Sequence, residues 1–276
     1  MQGDLKQWQL RGSAAELYER YLVPVVTLQW AVDLVARVDV RRGDRLLDVA
    51  CGTGVVARVA AEHVGNGGRV VGLDLNSGML AVARSFSKVG GVPIEWYEGS
   101  ALALPFDEGE FGVVLCQLGL QFFPDPLVAL REMRRVLAPD GRVGVSVFAE
   151  IERNPVALAL SESLDRHLGE GASCAKRNEH ALADREVVRS LFGEAGFARV
   201  RLETVAKTSR YPSVSEYVRF QLQATPLAAG FDAYDQRERD RLTALVVDEL
   251  STRLAAFVRE REFAFPQVAH VATAIA

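Results

Sequence analysis

Two acidic residues, each closing an apolar run, and a pair of glycines between them define the chemistry open to this chain. The stretch Asp44–Ala57 reads Asp-Arg-Leu-Leu-Asp48-Val-Ala-Cys-Gly52-Thr-Gly54-Val-Val-Ala57. Branched apolar residues ending in Asp48 predict a strand, and the Ala/Val/Arg pattern from Val55 predicts a helix. Gly52 and Gly54 permit backbone angles closed to residues with a Cβ and let a ligand touch the main chain, while the helix start offers unpaired N–H groups. Something planar or polar is expected there. Gly52-x-Gly54-x-x-Ala57 also fits the dinucleotide fingerprint, in which a pyrophosphate caps the helix, so the glycines alone leave the ligand open. Asp74 follows about 20 residues beyond the first glycine, where a carboxylate can accept both hydroxyls of a ribose. Its structural alternative is a helix N-cap, a part Ser77 would play as well.

The elements that must hold these groups follow from periodicity. Residues 13–38 predict a helix capped by Ser13 and interrupted at Pro24, with Tyr18, Tyr21 and Trp30 either in the core or folded over the ligand. After the glycine turn, a helix Val55–His63 stops at Gly65-Asn-Gly-Gly68. A strand Arg69–Leu75, a helix Ser77–Val89, a break at Gly90–Pro93 and a strand Ile94–Glu98 come next. Gly99–Phe106 reads as a loop, Pro105 biasing Leu104 towards extended geometry. Phe111–Gln117 is a near-continuous apolar strand of the kind covered on both faces. It opens into the segment Leu118–Pro126, and a helix Pro126–Leu137, a turn Ala138–Gly141 and a strand Arg142–Phe148 follow. Past residue 149 a helix Pro155–Leu168 leads into a loose, polar segment Gly169–Asn178. Then come a helix Asp184–Ala195, a strand Phe197–Ser209, helical stretches Val214–Leu227 and Tyr234–Arg261, and a last apolar segment Gln267–Ala276.

Alternating strands and helices imply an α/β fold with a doubly wound parallel sheet and right-handed crossovers. Ligands in such sheets bind beyond the carboxyl ends of the strands, here Ala50–Gly54, Asp74, Glu98–Leu102, Cys116–Gln121 and Phe148. The expected organisation is one domain over 1–276: N-terminal lid helices in 1–40 and a cofactor-binding core in 41–149. Cap insertions at 150–183 and 210–262 bind the acceptor, and 184–209 with 263–276 complete the sheet. The 276 residues, 49% hydrophobic and 25% charged, suffice for a sizeable core. A net charge of −4 argues against a dominant phosphate-binding surface, so no nucleic-acid partner is expected. Cys51, Cys116 and Cys174 form neither a metal spacing nor an even disulfide framework, which predicts no metal and a reducing, cytoplasmic setting. Met1–Arg11 lacks an apolar signal core, and no window approaches the roughly 20 apolar residues of a membrane span.

Residues 13–148 resemble the class I S-adenosylmethionine-dependent methyltransferases, most closely the branch of the ubiquinone/menaquinone biosynthesis enzymes and their small-molecule relatives (methyltransferase type 11). The matching pieces are Leu47-Asp-Val-Ala-Cys-Gly-Thr-Gly54, Gly72-Leu-Asp74-Leu-Asn-Ser-Gly-Met79-Leu, Gly99-Ser-Ala-Leu-Ala-Leu-Pro-Phe106 and Arg134-Arg-Val-Leu-Ala-Pro-Asp-Gly141. The resemblance implies a Rossmann-like, mostly parallel seven-stranded sheet whose last strand, at Gln267–Ala276, runs antiparallel. It implies transfer of a methyl group from S-adenosyl-L-methionine to an O, C or N atom of a small organic acceptor, leaving S-adenosyl-L-homocysteine. By this resemblance Asp48 and the backbone of Ala50 to Gly54, with Gly52 at its centre, would hold the amino-acid end of the cofactor, and Asp74 the ribose. Leu75 and Met79 would sandwich the adenine, and Ser100, Ala101 and Leu102 would meet its edge. Cys116 and Gln117 would lie near the methionine amino group, Gln121 would face the methyl group and the acceptor, and Tyr18 would close the lid. Relatives usually carry Asp where this chain has Ser100, a change expected to weaken cofactor binding by about 1 kcal/mol at most. Asp140 replaces a common Gly in a turn that Asp tolerates.

Methyl transfer from a sulfonium is an in-line displacement in which placing the acceptor supplies much of the rate. For a phenol or alcohol acceptor a general base helps, and the candidates by type are His167, His180 and Tyr211, each with a solvated or packed alternative. His63, His270 and Cys51 read as structural, and Asp235–Arg241 as a solvated helical face. Three rivals stand beside this reading: a nicotinamide oxidoreductase, a nucleic-acid methyltransferase, and a methyltransferase-fold protein that keeps the cofactor but catalyses another reaction or only binds. The acceptor and the oligomeric state are not legible.

Overall fold

A computed structural model describes residues 14–276 apart from positions 87, 90, 91, 226, 228–230, 232, 233 and 261. The readings made for Met1–Arg11, the Ser13 cap and the Gly90–Gly91 break lie outside the described residues. Among the described residues nine strands form one sheet: β1 Arg45–Val49, β2 Arg69–Asp74, β3 Lys88–Val89, β4 Val92–Glu98, β5 Phe111–Gln117, β6 Leu137–Phe148, β7 Ala198–Tyr211, β8 Val258–Arg259 and β9 Glu262–Ile275. The order is β3-β4-β2-β1-β5-β6-β9-β7, with β8 pairing β9. β4, β2, β1, β5 and β6 run parallel, and β9 is antiparallel to both β6 and β7. Apart from the two-residue strands β3 and β8 this is the expected seven-stranded, mostly parallel sheet. The chain order reverses between β1 and β5, and the glycine turn that follows β1 lies at that switch point.

Helices cover both faces. α1 (Ala14–Leu17), a π-helical segment (Tyr18–Thr27) and α2 (Leu28–Arg37) run on continuously. The break expected at Pro24 is therefore absent. Proline has no N–H to donate, and the wider π turn carries it inside the helix without ending it. α3 (Val55–Val64) and α4 (Ser77–Ser85) follow β1 and β2; α4 stops at Ser85, short of the expected Val89. α5 is Pro126–Val136, α6 Pro155–Leu168, α7 Cys174–Asn178, α8 Arg185–Glu194, α9 Val214–Ala224 and α10 Gln236–Arg253. Strand alternation divides the core. Leu46, Val113 and Leu115 pack with Trp30, Leu34, Val56 and Ala60 on one face, while Leu47, Val49, Val114 and Cys116 pack with Met133 and Phe192 on the other.

Other boundaries differ from expectation, and the helix expected to run to Arg261 ends at Arg253, ahead of β8. β9 starts at Glu262, five residues ahead of Gln267, because Phe263 and Phe265 are core residues paired with Tyr211 and Ser209 of β7. The turn Ala138–Gly141 lies within β6 as an irregularity: Phe111 pairs with Leu137 but Val113 with Arg142, and Asp140 takes φ +60°. The segment Gly169–Asn178 is not loose. Ser173 places its N–H and hydroxyl on Asp165 at 2.9 and 2.8 Å, Arg177 donates to the same pair, and α7 is stapled to the end of α6.

Candidate functional site

Beyond β1 the chain passes through Ala50 (φ +56°), Gly52 (+56°) and Gly54 (+86°) before α3 begins. Repeated left-handed angles curl the backbone so that its N–H groups turn towards β2. Gly52 N–H donates to Asp74 Oδ2 at 2.7 Å, and Asn76 N–H donates to Asp74 Oδ1 at 2.8 Å. The ends of β1 and β2 are thereby keyed together through one carboxylate. Burial raises the Asp74 carboxyl above its ordinary value, opposed by the N–H groups of Asn76 and Gly52. A carboxylate has about four acceptor positions, more than the N–H groups of Gly52, Asn76 and Leu75 occupy, so capacity remains for a ligand. The N-cap of α4 is Asn76, whose side chain accepts from Met79 N–H at 3.1 Å, and neither Asp74 nor Ser77 fills that place.

The two glycines do different work. A Cβ on Gly52 would meet nothing within 4 Å. One on Gly54 would lie 2.2 Å from the Trp96 ring, and one on Gly72 2.4 Å from it. Gly54 and Gly72 thus admit an indole from β4, and Gly52 alone leaves open space.

That space is a cavity of about 750 Å³ beyond the strand ends. Ten expected residues line it: Tyr18, Ala50, Gly52, Asp74, Leu75, Met79, Ser100, Ala101, Leu102 and Gln117. Leu75 is 41% exposed on its wall, an apolar surface with room for a planar partner. Ser100 Oγ accepts Leu102 N–H at 3.1 Å. The 99–106 loop is braced from α5, where Glu132 accepts Leu104 N–H and Arg135 donates to the Leu104 and Phe106 carbonyls. Gln117 donates to the Thr27 carbonyl at 3.1 Å, tying the end of β5 to the π segment, and its Oε1 is buried without a partner among the described residues.

Asp48, Gly54, Cys116 and Gln121 do not line the cavity. Asp48 shares a sheet face with Leu46, so it points under α3 and accepts Ala57 N–H at 3.0 Å. Cys116 shares the opposite face with Val114 and is fully buried against the α5 side, where burial pushes its thiol up. Gln121 turns back on its own loop and donates to the Leu118 carbonyl at 3.0 Å; Phe122, Phe123 and Pro124 take the wall beside it.

The base candidates fall differently. His167 faces Glu249 at 2.9 Å in a network joining α6 to α10. Tyr211 is 2% exposed and stacked on Phe265 at 5.9 Å, where burial raises its phenol above the ordinary range. Neither lines the cavity. His180 lines a small adjoining pocket of about 20 Å³ and binds the Ala149 carbonyl through Nδ1 at 2.6 Å, with burial lowering its pKa. His270 is fully buried between Ala183 O and Thr204 Oγ1, and His63 bonds its own helix at Val59 O.

Residues with no clear sequence signal complete the cavity. Leu22, Val26 and Thr27 come from the π segment. Lys176, Glu179, Gln221, Thr225 and Gln267 come from the cap and β9. Lys176 was hidden in a polar stretch whose helix is stapled to the end of α6.

Residues 26–168, just over half of the chain, match the ubiE/COQ5 methyltransferase family. A chloroplastic 2-phytyl-1,4-beta-naphthoquinone methyltransferase of Arabidopsis thaliana is 44% identical over 116 residues, which cover 39% of this chain and 43% of that protein. The ubiquinone/menaquinone biosynthesis C-methyltransferase of Xanthomonas axonopodis pv. citri is 34% identical over 188 residues, 64% of this chain and 74% of the relative. The match therefore spans less than half of the first relative and about three quarters of the second. Among solved structures, a Haemonchus contortus phosphoethanolamine N-methyltransferase 2, in complex with S-adenosyl-L-methionine, superposes with TM-score 0.54 at 18% identity, over 90% of this chain and 52% of that one; at that identity the likeness is one of fold. The family match and the Xanthomonas relative settle the assignment: the chain belongs to the ubiE/COQ5 methyltransferase family.

Proposed function

We propose that the cavity beyond the strand ends binds S-adenosyl-L-methionine and that the chain transfers its methyl group to a small cyclic acceptor of the quinol class. The observation that carries this reading is the pairing of Gly52, whose absent Cβ leaves open space, with Asp74, whose carboxylate holds the Gly52 N–H at 2.7 Å and keeps acceptor positions to spare. Asp74 takes the ribose hydroxyls, Leu75 and Met79 the faces of the adenine, and Ser100 to Leu102 its edge. Ala50, Gly52 and the start of α3 receive the amino-acid end, with Gln117 Oε1, buried and without a partner among the described residues, as an acceptor for an ammonium. When bound, the cofactor supplies an electrophilic methyl group on a sulfonium. The chain's own contribution is placement and exclusion of water: the π segment and the cap close over the strand ends, and Phe122, Phe123 and Phe148 give an aromatic ring apolar walls. Ligand pockets run to about 300–1,000 Å³, so about 750 Å³ suits the cofactor with a small acceptor beside it. The names of the Arabidopsis and Xanthomonas relatives support a quinone-derived acceptor. Three free cysteines, two of them buried, fit a reducing compartment such as the cytoplasm.

Titration calorimetry with S-adenosylmethionine, S-adenosylhomocysteine and NAD, followed by an acceptor screen that includes reduced naphthoquinones and detects S-adenosylhomocysteine, tests the reading. Binding of the two sulfur compounds and turnover on a reduced quinone are expected. Tight binding of NAD with none of S-adenosylmethionine would sink it, and cofactor binding without turnover on any acceptor would replace it with a binding protein of the same fold.

A further inference from the structure

The cap contributes a polar cluster that the cofactor reading leaves unused. Lys176, on α7, is 5% exposed. Its ammonium donates to both oxygens of Glu179 at 2.9 and 2.8 Å, which leaves one of its three N–H groups. Gln221, on α9, is also 5% exposed and lines the same cavity, with an amide whose NH2 group can donate to an anion. Lys176, Glu179 and Gln221 line both the main cavity and the small pocket beside it, and Phe148 lines both with them. All but Phe148 lie beyond the matched residues 26–168.

Lysine side chains ordinarily carry their ammonium to water, and removing it from water is costly unless it is paired. α7 could have shown Lys176 to solvent. Instead Ser173 and Arg177 bind Asp165 on one side of the short helix and hold Lys176 inward on the other. A surface ion pair would tie the segment down as well without burial. The placement makes sense when a ligand meets the remaining N–H, and the aromatic wall at Phe148 specifies what carries the charge.

Resting on the cofactor reading above, we infer that Lys176, oriented by Glu179, binds the ionised ring hydroxyl of the acceptor, with Gln221 completing the polar end, so that the site selects aromatic or enolic oxyanions over neutral rings. A cation a few ångströms from a hydroxyl favours its charged form and lowers its pKa, by about 1 pH unit or more for contacts of this kind. The acceptor would then be held as the electron-rich anion, the form that attacks a sulfonium.

The probe is 7-hydroxycoumarin, a bicyclic phenol whose neutral and ionised forms differ in excitation spectrum, with coumarin as the control lacking the hydroxyl. Both are titrated into the full chain saturated with S-adenosylhomocysteine. The ionisation midpoint of bound 7-hydroxycoumarin is expected to lie about 1 pH unit below that of the free compound. Lys176→Met should return it to the free value or above and weaken binding at least about tenfold, while coumarin and S-adenosylhomocysteine bind as before. Lys176→Arg should retain most of the shift, and Glu179→Gln, which removes the anion beside the ammonium, should enlarge it. An unshifted midpoint in the wild type, no binding of 7-hydroxycoumarin, or a shift that survives Lys176→Met would each overturn the inference. If Lys176→Met fails to bind S-adenosylhomocysteine through misfolding, Gln221→Leu, expected to weaken 7-hydroxycoumarin but not coumarin, decides; equal effects on both overturn it. Failure of the wild type to bind S-adenosylhomocysteine strikes the cofactor reading alone, since the Lys176 titration is then run without it.

Discussion

Asp48 and Asp74 end neighbouring strands, and burial raises the carboxyl pKa of both, yet only one faces the cavity. Asp48 Oδ2 braces the Ala57 N–H, while its Oδ1 has no partner among the described residues. An acid whose folded pKa is raised binds its proton more tightly in the folded state. Its contribution is therefore present below the unfolded value near 3.8 and is lost as pH climbs through the higher folded value. Asp48→Asn keeps an oxygen for Ala57 and removes the charge, so the unfolding free energy should fall less between pH 4 and pH 7 than in the wild type; chemical denaturation at the two pH values measures it. If Asp48 only braces α3, S-adenosylhomocysteine affinity in this variant stays within about twofold, and a larger loss would restore the direct role implied by the family resemblance. Asp74→Ala, by contrast, should weaken cofactor binding by about 1.5–3 kcal/mol, the scale of hydrogen bonds to a charged group, as read by calorimetry. Gly54→Ala acts on stability: a left-handed φ of +86° and a Cβ 2.2 Å from Trp96 should together cost about 2–4 kcal/mol in denaturant unfolding. Strand alternation, once the sheet is known, separates these roles. The motif alone does not, because Asp48 and Gly54 occur in the same string as the residues that face the cavity.

The N-terminal helical segment is fastened over the strand ends by a pair that periodicity could not predict. Arg58 of α3 meets Glu19 of the π segment at 2.7 Å, with both side chains under a fifth exposed, donates to the Thr53 carbonyl and lies over Phe86 at 4.5 Å. Arg58→Met keeps much of the apolar stem but leaves Glu19 partly buried and unpaired, so it should cost about 1–3 kcal/mol. The loss should show as faster amide exchange across 18–27 and weaker S-adenosylhomocysteine binding; unchanged exchange there would remove the latch. The elements themselves were largely legible, since apolar strands and amphipathic helices announce their periods. The failures have specific causes. Pro24 signals a break only if the helix is α, and here the turn widens instead. Phe263 and Phe265 fell between the helix expected to end at Arg261 and the segment expected to begin at Gln267, because the residues pairing with them lie some fifty positions back in β7. Lys176 went unread within a segment expected to be loose and polar, because its burial depends on the Ser173–Asp165 staple and on α9, which lies some forty residues on. The cavity residues at the strand ends sit in contiguous motifs and could be read, whereas those assembled from α7, α9 and β9 could not.

At the scale of the whole molecule, charge and closure bear on which ligand the chain serves. Arg37, Arg69, Arg142, Arg210 and Arg253 each pair with a carboxylate, so much of the arginine charge is locally neutralised in a chain of net charge −4. That favours a small molecule over a phosphate backbone. Among the described residues no helix is long and apolar enough to cross a membrane. The cavity is roofed by the π segment, α7 and α9, three elements from distant parts of the chain that meet over the strand ends. A ligand bridging floor and roof stabilises the folded chain by mass action, about 2.7 kcal/mol at a hundredfold excess over its Kd. For a chain of this length each kcal/mol moves the melting midpoint by about 2–4 °C, so S-adenosylhomocysteine should raise Tm by about 5–10 °C. Amide protection should rise at the cavity floor around 50–54 and 74–79 and also at the roof around 18–27. Protection confined to the floor would mean that the roof does not close on the cofactor. A comparable Tm rise with NAD and none with S-adenosylhomocysteine would return the glycine turn to the dinucleotide reading, which its spacing alone had left open.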